Sequence, residues 1–225
     1  MSWHCRPAEP PRRHMLVFLR LQAWQAARST HAELTRDPIV TLWVESGWPL
    51  IVRRSTPDEA HGVPVGLPLP PWAGKRRIGF LVQPEDVRYV VPPPGLDSII
   101  TCAPRGWWPT LEGLADLALR HSADARVVGS LAWHALTGLN YLTPQSDLDF
   151  VLHTRPGTDL PRLAAAIQAI ETAAPMRLDG ELIRADDAAV NWREFNAGAR
   201  ELLVKTAGGV ALINRNDFVS GSATP

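Results

Sequence analysis

Two aspartates two residues apart, in Asp147-Leu148-Asp149, run directly into Phe150-Val151-Leu152. Aliphatic and aromatic residues of this kind favour a strand, and side chains alternate faces along a strand. Both carboxylates are therefore expected on one face. Two carboxylates side by side repel unless a cation lies between them. An oxygen-only donor set suits Mg2+, which takes one or two carboxylates and completes its shell with substrate phosphates. Two such ions can clamp the attacking and leaving oxygens of a phosphoryl transfer. Ahead of the aspartates, Val127-Val128 leads into Gly129-Ser130. A strand over 126–128 and a helix over 131–137, stopped by Gly138, would set Gly129 and Ser130 at a helix start. Glycine lets the backbone approach a ligand, the first helical N–H groups attract phosphate, and Ser130 adds a hydroxyl. Either feature alone is commonly a plain turn. In order, with these flanks, one strand end offers a phosphate cradle and the next strand a metal-binding pair.

The elements that must position these groups can be read from the rest of the chain. An apolar run at 14–21 and an Ala- and Trp-bearing run at 22–36 precede 50–54, a strand by composition. The stretch 41–46 reads ambiguously. Residues 63–71, VPVGLPLPP, are not expected as a helix or a central strand, because proline has no N–H to donate. Strands are expected at 78–82 and 87–91, and Pro92-Pro93-Pro94-Gly95 breaks the chain. Beyond it, 111–120 has helical spacing, and 160–172 is a helix with Pro161 near its start. Residues 176–183 read as a strand and 191–200 as a helix. The two apolar runs of 202–213 flank Ala207-Gly208-Gly209, the pattern of a hairpin. The predicted class is α+β. A loose segment at 1–13 precedes a small α+β domain at 14–95 with a basic loop. A linker at 96–108 leads to a catalytic domain at 109–215, a mixed sheet flanked by helices, and a frayed tail at 216–225.

Composition narrows the function. Of 225 residues, 45% are hydrophobic and 20% charged, enough for a globular core. Lys+Arg and Asp+Glu both number 23, and this neutral balance argues against a general nucleic-acid binder. The charge is uneven: residues 1–105 hold 13 Lys+Arg against 9 Asp+Glu, and residues 106–225 hold 10 against 14. A basic half facing an acidic one would suit a polyanion bound with metal. The only cysteines, Cys5 and Cys102, are too few for a disulfide framework, and no Cys/His cluster points to zinc. No apolar run reaches the ~18 residues of a membrane span, and the N-terminus lacks a signal-peptide core. The chain is therefore expected in the cytoplasm, away from membranes.

Gly129-Ser130, a spacer and Asp147-x-Asp149 among apolar residues resemble the polymerase-β-type nucleotidyltransferase superfamily, with a spacer over 131–146 longer than in most members. Over nearly the whole chain, RRHMLVFL, WPLIVRR, VPVGLPLP, KRRIGF, VVGSLAWHALTGLNYLTPQSDLDFVL and LLVKT occur in that order. This series resembles the malonate decarboxylase holo-acyl-carrier-protein synthases, also called phosphoribosyl-dephospho-CoA transferases. The resemblance implies a nucleotidyltransferase-like C-terminal domain and triphosphoribosyl-dephospho-CoA as donor. It implies transfer of the phosphoribosyl-dephospho-CoA group to a serine of the apo acyl-carrier subunit of malonate decarboxylase, with release of pyrophosphate. It also implies Mg2+ on Asp147 and Asp149, and a phosphate cradle at Gly129 and Ser130. A third carboxylate, which binds metal or acts as base, would be Asp179; Glu181, on the same predicted face, is the alternative. Lys75, Arg76 and Arg77, with Arg53, Arg54 and Lys205, are candidate cations for the phosphates, because fixed positive charge stabilises a leaving pyrophosphate. Trp133 is expected to pack in the core. Two rival readings are adenylylation of another protein or a small molecule, and a binding module that keeps the fold without activity. Intact Gly-Ser and Asp-x-Asp favour an enzyme.

Overall fold

Short aliphatic runs punctuated by proline and glycine build two sheets. The structure, a computed structural model, describes residues 11–56, 59, 61–206 and 208–221. Residues 1–10 of the expected loose segment, Ala207 of the expected turn and residues 222–225 of the expected tail lie outside the described residues. The chain divides into two compact units, Met1–Pro93 and Pro94–Pro225.

In the first unit, β1 (Leu16–Leu19), β2 (Leu50–Val52), β3 (Val63–Pro68), β4 (Arg77–Val82) and β5 (Val87–Val91) form an antiparallel sheet in the order β4-β3-β2-β1-β5. Helices α1 (Leu21–Thr30), α2 (Ala32–Arg36) and α3 (Pro38–Glu45) link β1 to β2. The ambiguous stretch at 41–46 falls largely in α3. Asp37 caps that helix, its side chain accepting from Ile39 N at 3.2 Å, and Pro38 suits the first turn. Trp24, Val40, Trp43, Val65 and Leu67 are among the buried residues of this unit.

β3 is an interior strand, contrary to the sequence expectation for 63–71. The reason lies in the register. Ile51 pairs with Gly66, and Arg53 N donates to Pro64 O at 3.0 Å, so the main-chain groups of residues 64, 66 and 68 point toward β2. β2 is only three residues long. Pro64 and Pro68 fall at or beyond its ends, where a missing N–H breaks little of the ladder. The β4 side keeps its donors.

The second unit opens with α4 (Leu96–Ile99) and α5 (Trp108–Arg120). Then come β6 (Asp124–Val127), α6 (Gly129–Thr137), β7 (Leu148–His153), α7 (Leu160–Ala173) and β8 (Leu178–Ile183). β9 (Ala189–Asn191), α8 (Trp192–Asn196), β10 (Glu201–Lys205), β11 (Val210–Asn214) and α9 (Arg215–Ser220) complete it. The sheet order is β11-β10-β9-β8-β7-β6. β7 and β8 are parallel, joined through α7, and the other pairs are antiparallel. This is the mixed sheet of the α+β class. Leu148, Phe150, Leu178 and Leu182 share the main core with Leu114 of α5 and Leu163 of α7. Val151 and Ile183 pack in a separate small cluster with Ala189. By alternation, Asp149, Asp179 and Glu181 belong to that second face.

Three expectations for this unit are corrected. Residues 96–108 are not a linker, because Leu96, Ile99 and Trp107 are core residues. The tail is not frayed from 216, because α9 buries Phe218 against Phe195. The helix expected over 191–200 is confined to α8, which Asn191 caps by accepting from Arg193 N and Glu194 N. Among the described residues, no helix is long and apolar enough to cross a membrane.

Candidate functional site

Because β7 and β8 run parallel, equal positions on the two strands stand side by side. Asp149 is the register partner of Asp179, and Val151 that of Glu181. α6 begins at Gly129 itself, two residues earlier than its spacing suggested. Gly129 has φ +65°, and a Cβ built there would overlap the carboxylate of Asp149. Only glycine fits: the turn into α6 lies directly against the acid. Val128 N donates to Asp149 O at 3.0 Å and ties that turn to β7. Ser130 is half-buried in the first turn of α6, where helical N–H groups lack an intrahelical acceptor. Gly138, with φ +71°, closes the helix at the expected stop.

Asp147 lies just before β7, which starts at Leu148, so only one of the two aspartates is a strand residue. Leu148 N donates to Arg177 O at 2.9 Å and fixes where the ladder begins. Asp179 sits within β8, and the Gly180 that follows it is no turn residue. A Cβ at Gly180 would overlap the Phe150 ring, so this glycine makes room for core packing between the paired strands.

Asp179 Oδ1 accepts from Asn191 Nδ2 at 3.0 Å, while Asn191 Oδ1 accepts from Arg193 N at 2.9 Å. One amide thus fixes both an acid and the start of the helix that carries Arg193. The Arg193 guanidinium forks onto Glu171: Nη1 meets Oε2, and Nη2 meets Oε1 at 2.6 Å. Glu171 above all, with Asp179 and Asp147 adding to it, holds Arg193 firmly protonated, above its ordinary value. The hydrogen bonds from Arg193 hold the Glu171 carboxyl below the usual carboxylate value. Arg193 therefore stands in the field of two of the candidate acids, Asp147 and Asp179. Neither Arg193, Glu171 nor Asn191 was singled out from sequence. Asparagine is a common helix cap, but that preference would point Asn191 to α8 rather than to Asp179.

Glu181 is only 9% exposed, and its Oε1 accepts from Lys205 Nζ at 2.6 Å. This separates the two candidates for the third carboxylate: Asp179 adjoins Asp149, whereas Glu181 is clasped by a lysine. Lys205, expected as a phosphate cation, instead serves that internal pair. Trp133 is buried, as expected. Two further cations are engaged within the first unit. Arg53 forks onto Glu59, with Nη1 to Oε2 at 2.7 Å, and also donates to Val65 O. Arg76 pairs with Asp37 at 2.8 Å. Lys75 occupies the turn after Gly74 with φ +49°, Arg77 opens β4, and Arg54 follows β2. These five cations belong to the first unit and the acids to the second.

Among the described residues, no three His, Cys, Asp or Glu side chains converge as a ready-made metal site. Asp147, Asp149 and Asp179 are thus no preformed cage for Mg2+. The paired carboxylates nonetheless offer hard oxygens side by side. That fits an ion which takes one or two carboxylates and fills its shell from substrate phosphates and water.

An α+β chain with acids paired across parallel strands, under a helix start, carries the groups of a phosphate-handling transferase. Comparison with known proteins makes the class specific. Residues 12–93 match the phosphoribosyl-dephospho-CoA transferase MdcG N-terminal domain, and residues 95–216 match the corresponding C-terminal domain. The chain belongs to this family of transferases, as its motifs implied. It is 53% identical over 223 residues to a phosphoribosyl-dephospho-CoA transferase of Bradyrhizobium diazoefficiens, with 99% of each chain covered. It is 37% identical over 196 residues to one of Xanthomonas euvesicatoria pv. vesicatoria, covering 86% of this chain and 90% of the relative. No solved structure gives a significant match.

Proposed function

We propose that this chain transfers the phosphoribosyl-dephospho-CoA group from triphosphoribosyl-dephospho-CoA to a serine of the apo acyl-carrier subunit of malonate decarboxylase. The observation that carries the reading is the registered pair Asp149 and Asp179, with Gly129 set against Asp149. The serine Oγ attacks the α-phosphorus in line. A phosphodiester bond forms, the bond to the bridging oxygen breaks, and pyrophosphate leaves. Asp179, held by Asn191, orients the serine and accepts its proton. Ser130 and the first N–H groups of α6 bind the β- and γ-phosphates. Asp149, with Asp147 just before it in the chain, would hold Mg2+, which when bound would neutralise charge on the triphosphate and leave Asp179 as the base. Positioning and charge stabilisation supply most of the rate, since little covalent chemistry falls to the protein. A CoA-derived donor and a decarboxylase subunit as acceptor suit a reaction in the cytoplasm.

Intact-mass spectrometry of the apo carrier subunit tests this, with the chain, Mg2+ and the donor present. The expected outcome is a gain of one prosthetic group on the serine, absent with Asp149→Asn. A carrier left unmodified by the donor, in a preparation that transfers adenylyl groups from ATP, would overturn the reading in favour of adenylylation.

A further inference from the structure

The approaches to β7 and β8 leave a cleft of about 570 Å3 that Asp147 helps to line. Parallel strands bring their N-terminal ends together, so the segment before β7 forms one wall and the segment before β8 the other. The volume lies within the roughly 300–1,000 Å3 of small-molecule sites. Trp107, Leu142, Pro144, Pro175 and Met176 give it an apolar lining. Its charged lining residues are Asp147 and Arg177. The first wall is preformed: Ser146 N donates to Thr143 O at 3.0 Å, and Thr143 N donates to Ser146 Oγ at 2.9 Å. The Leu148 N to Arg177 O bond, 2.9 Å, ties the two walls together next to Asp147.

A triphosphate is poorly served here, by one arginine and an opposing aspartate. A flat ring system with one short anionic neighbour is well served. Proline, methionine and tryptophan surfaces pack against rings, and a lone guanidinium meets a diphosphate. The donor of the proposed reaction contains both parts, linked through a ribose to the reacting triphosphate. We infer that the cleft holds the adenosine 5′-diphosphate portion of the donor, with the adenine on the apolar lining and Arg177 against the diphosphate. The donor's added ribose then passes Asp147 and delivers its triphosphate to Asp149 and Gly129. This rests on the proposed function for the identity of the donor, but binding can be measured without transfer.

Calorimetric titration of the full chain with dephospho-CoA and, separately, with ADP tests the assignment. Gln145→Trp places a large ring on the exposed turn at the cleft mouth, and Arg177→Glu reverses the cation without adding bulk. Both variants are expected to weaken dephospho-CoA and ADP by about tenfold or more with the fold retained, Arg177→Glu melting somewhat lower because Arg177 also stabilises the Glu171 carboxylate. If Gln145→Trp fails to fold, Arg177→Glu carries the test. A wild-type chain that binds neither ligand overturns the inference, as do variants that bind both normally. Weakened dephospho-CoA with unchanged ADP puts another part of the donor in the cleft and also overturns it. So does loss of carrier modification with dephospho-CoA binding intact, which makes the cleft a groove for the carrier. A wild-type chain that binds dephospho-CoA through the cleft yet leaves the carrier unmodified keeps this inference and overturns the proposed function instead.

Discussion

Two acids of β8, on one face and two residues apart, sit in opposite electrostatic settings. Glu181 is clasped by Lys205 at 2.6 Å. Asp179 stands in register with another carboxylate, Asp149, and takes a neutral amide from Asn191 at 3.0 Å. A carboxylate answered by a lysine of the same sheet belongs to the framework. Carboxylates set side by side gain most from positive charge that arrives with a substrate. What distinguishes the two acids is the neighbour each strand register assigns them, not residue type or spacing. Asp149→Asn or Asp179→Asn should therefore lower transfer by about 10²–10³-fold or more while melting close to wild type. Glu181→Gln should do the reverse: near-normal transfer, and a stability loss of up to about 3 kcal/mol from the half-buried lysine left behind. Carrier modification and urea unfolding on the same preparations measure both. An activity loss from Glu181→Gln as deep as that from Asp179→Asn would erase the distinction.

The two ends of α6 sharpen the contrast between a site residue and a structural one. Gly129 and Gly138 share positive φ, +65° and +71°. A Cβ at Gly129 would overlap Asp149, whereas Gly138 has nothing within 4 Å. Gly138→Ala should cost only the left-handed backbone penalty, about 1–2 kcal/mol. Gly129→Ala carries that penalty and also displaces Asp149, so transfer should fall about 10²-fold as the acid leaves its position. Rates and urea midpoints of the two variants, compared directly, separate backbone strain from the misplaced carboxylate.

A smaller effect is expected at Arg193. Arg193→Lys keeps the charge near Asp147 and Asp179 but loses the fork onto Glu171. Transfer should fall about tenfold, and stability by about 1–2 kcal/mol. Arg193→Met, which removes the charge as well, should cost more activity than the lysine variant at similar stability. Equal rates for the two would show that only the clamp matters.

The strand positions of Asp149 and Asp179 were legible because each is embedded among apolar residues that favour a strand, and Gly129 because it stands between a strand and a helix. The contacts around them were hidden. Asn191 to Asp179, Arg193 to Glu171 and Lys205 to Glu181 join residues 12, 22 and 24 apart. Only the register of the folded sheet brings them together, and no local pattern encodes it. The prolines of β3 misled for a related reason. Proline is unfit for a central strand when both neighbours are long, and β2 is three residues long. The segment at 96–108 and the C-terminal stretch read as connections because each is short and broken by polar residues. Leu96, Ile99 and Trp107 anchor the first to the core, and Phe218 the second.

Acid titration compares the two units through their carboxylate clamps, and here the expected effect is smallest. In the first unit, hydrogen bonds from Arg53 above all, and then from Thr56 N, hold the Glu59 carboxyl down to about 2 from an ordinary 4.5. In the second, Arg193 lowers Glu171 in the same direction. A carboxyl whose value is depressed on folding contributes stability that is complete above its ordinary value. That contribution is lost as pH falls, for Glu59 between about 4.5 and about 2. Glu59→Gln should lower the urea midpoint at neutral pH by an amount that shrinks to nothing near pH 2. Glu171→Gln should show the same sign. The two clamps differ in what they hold. Arg53 bridges Glu59 and the backbone of β3, while Arg193 stands in the field of Asp147 and Asp179. Only Glu171→Gln should therefore also alter carrier modification. A Glu59→Gln variant that lost transfer at neutral pH, with its fold intact, would tie the first unit's arginine to the chemistry after all.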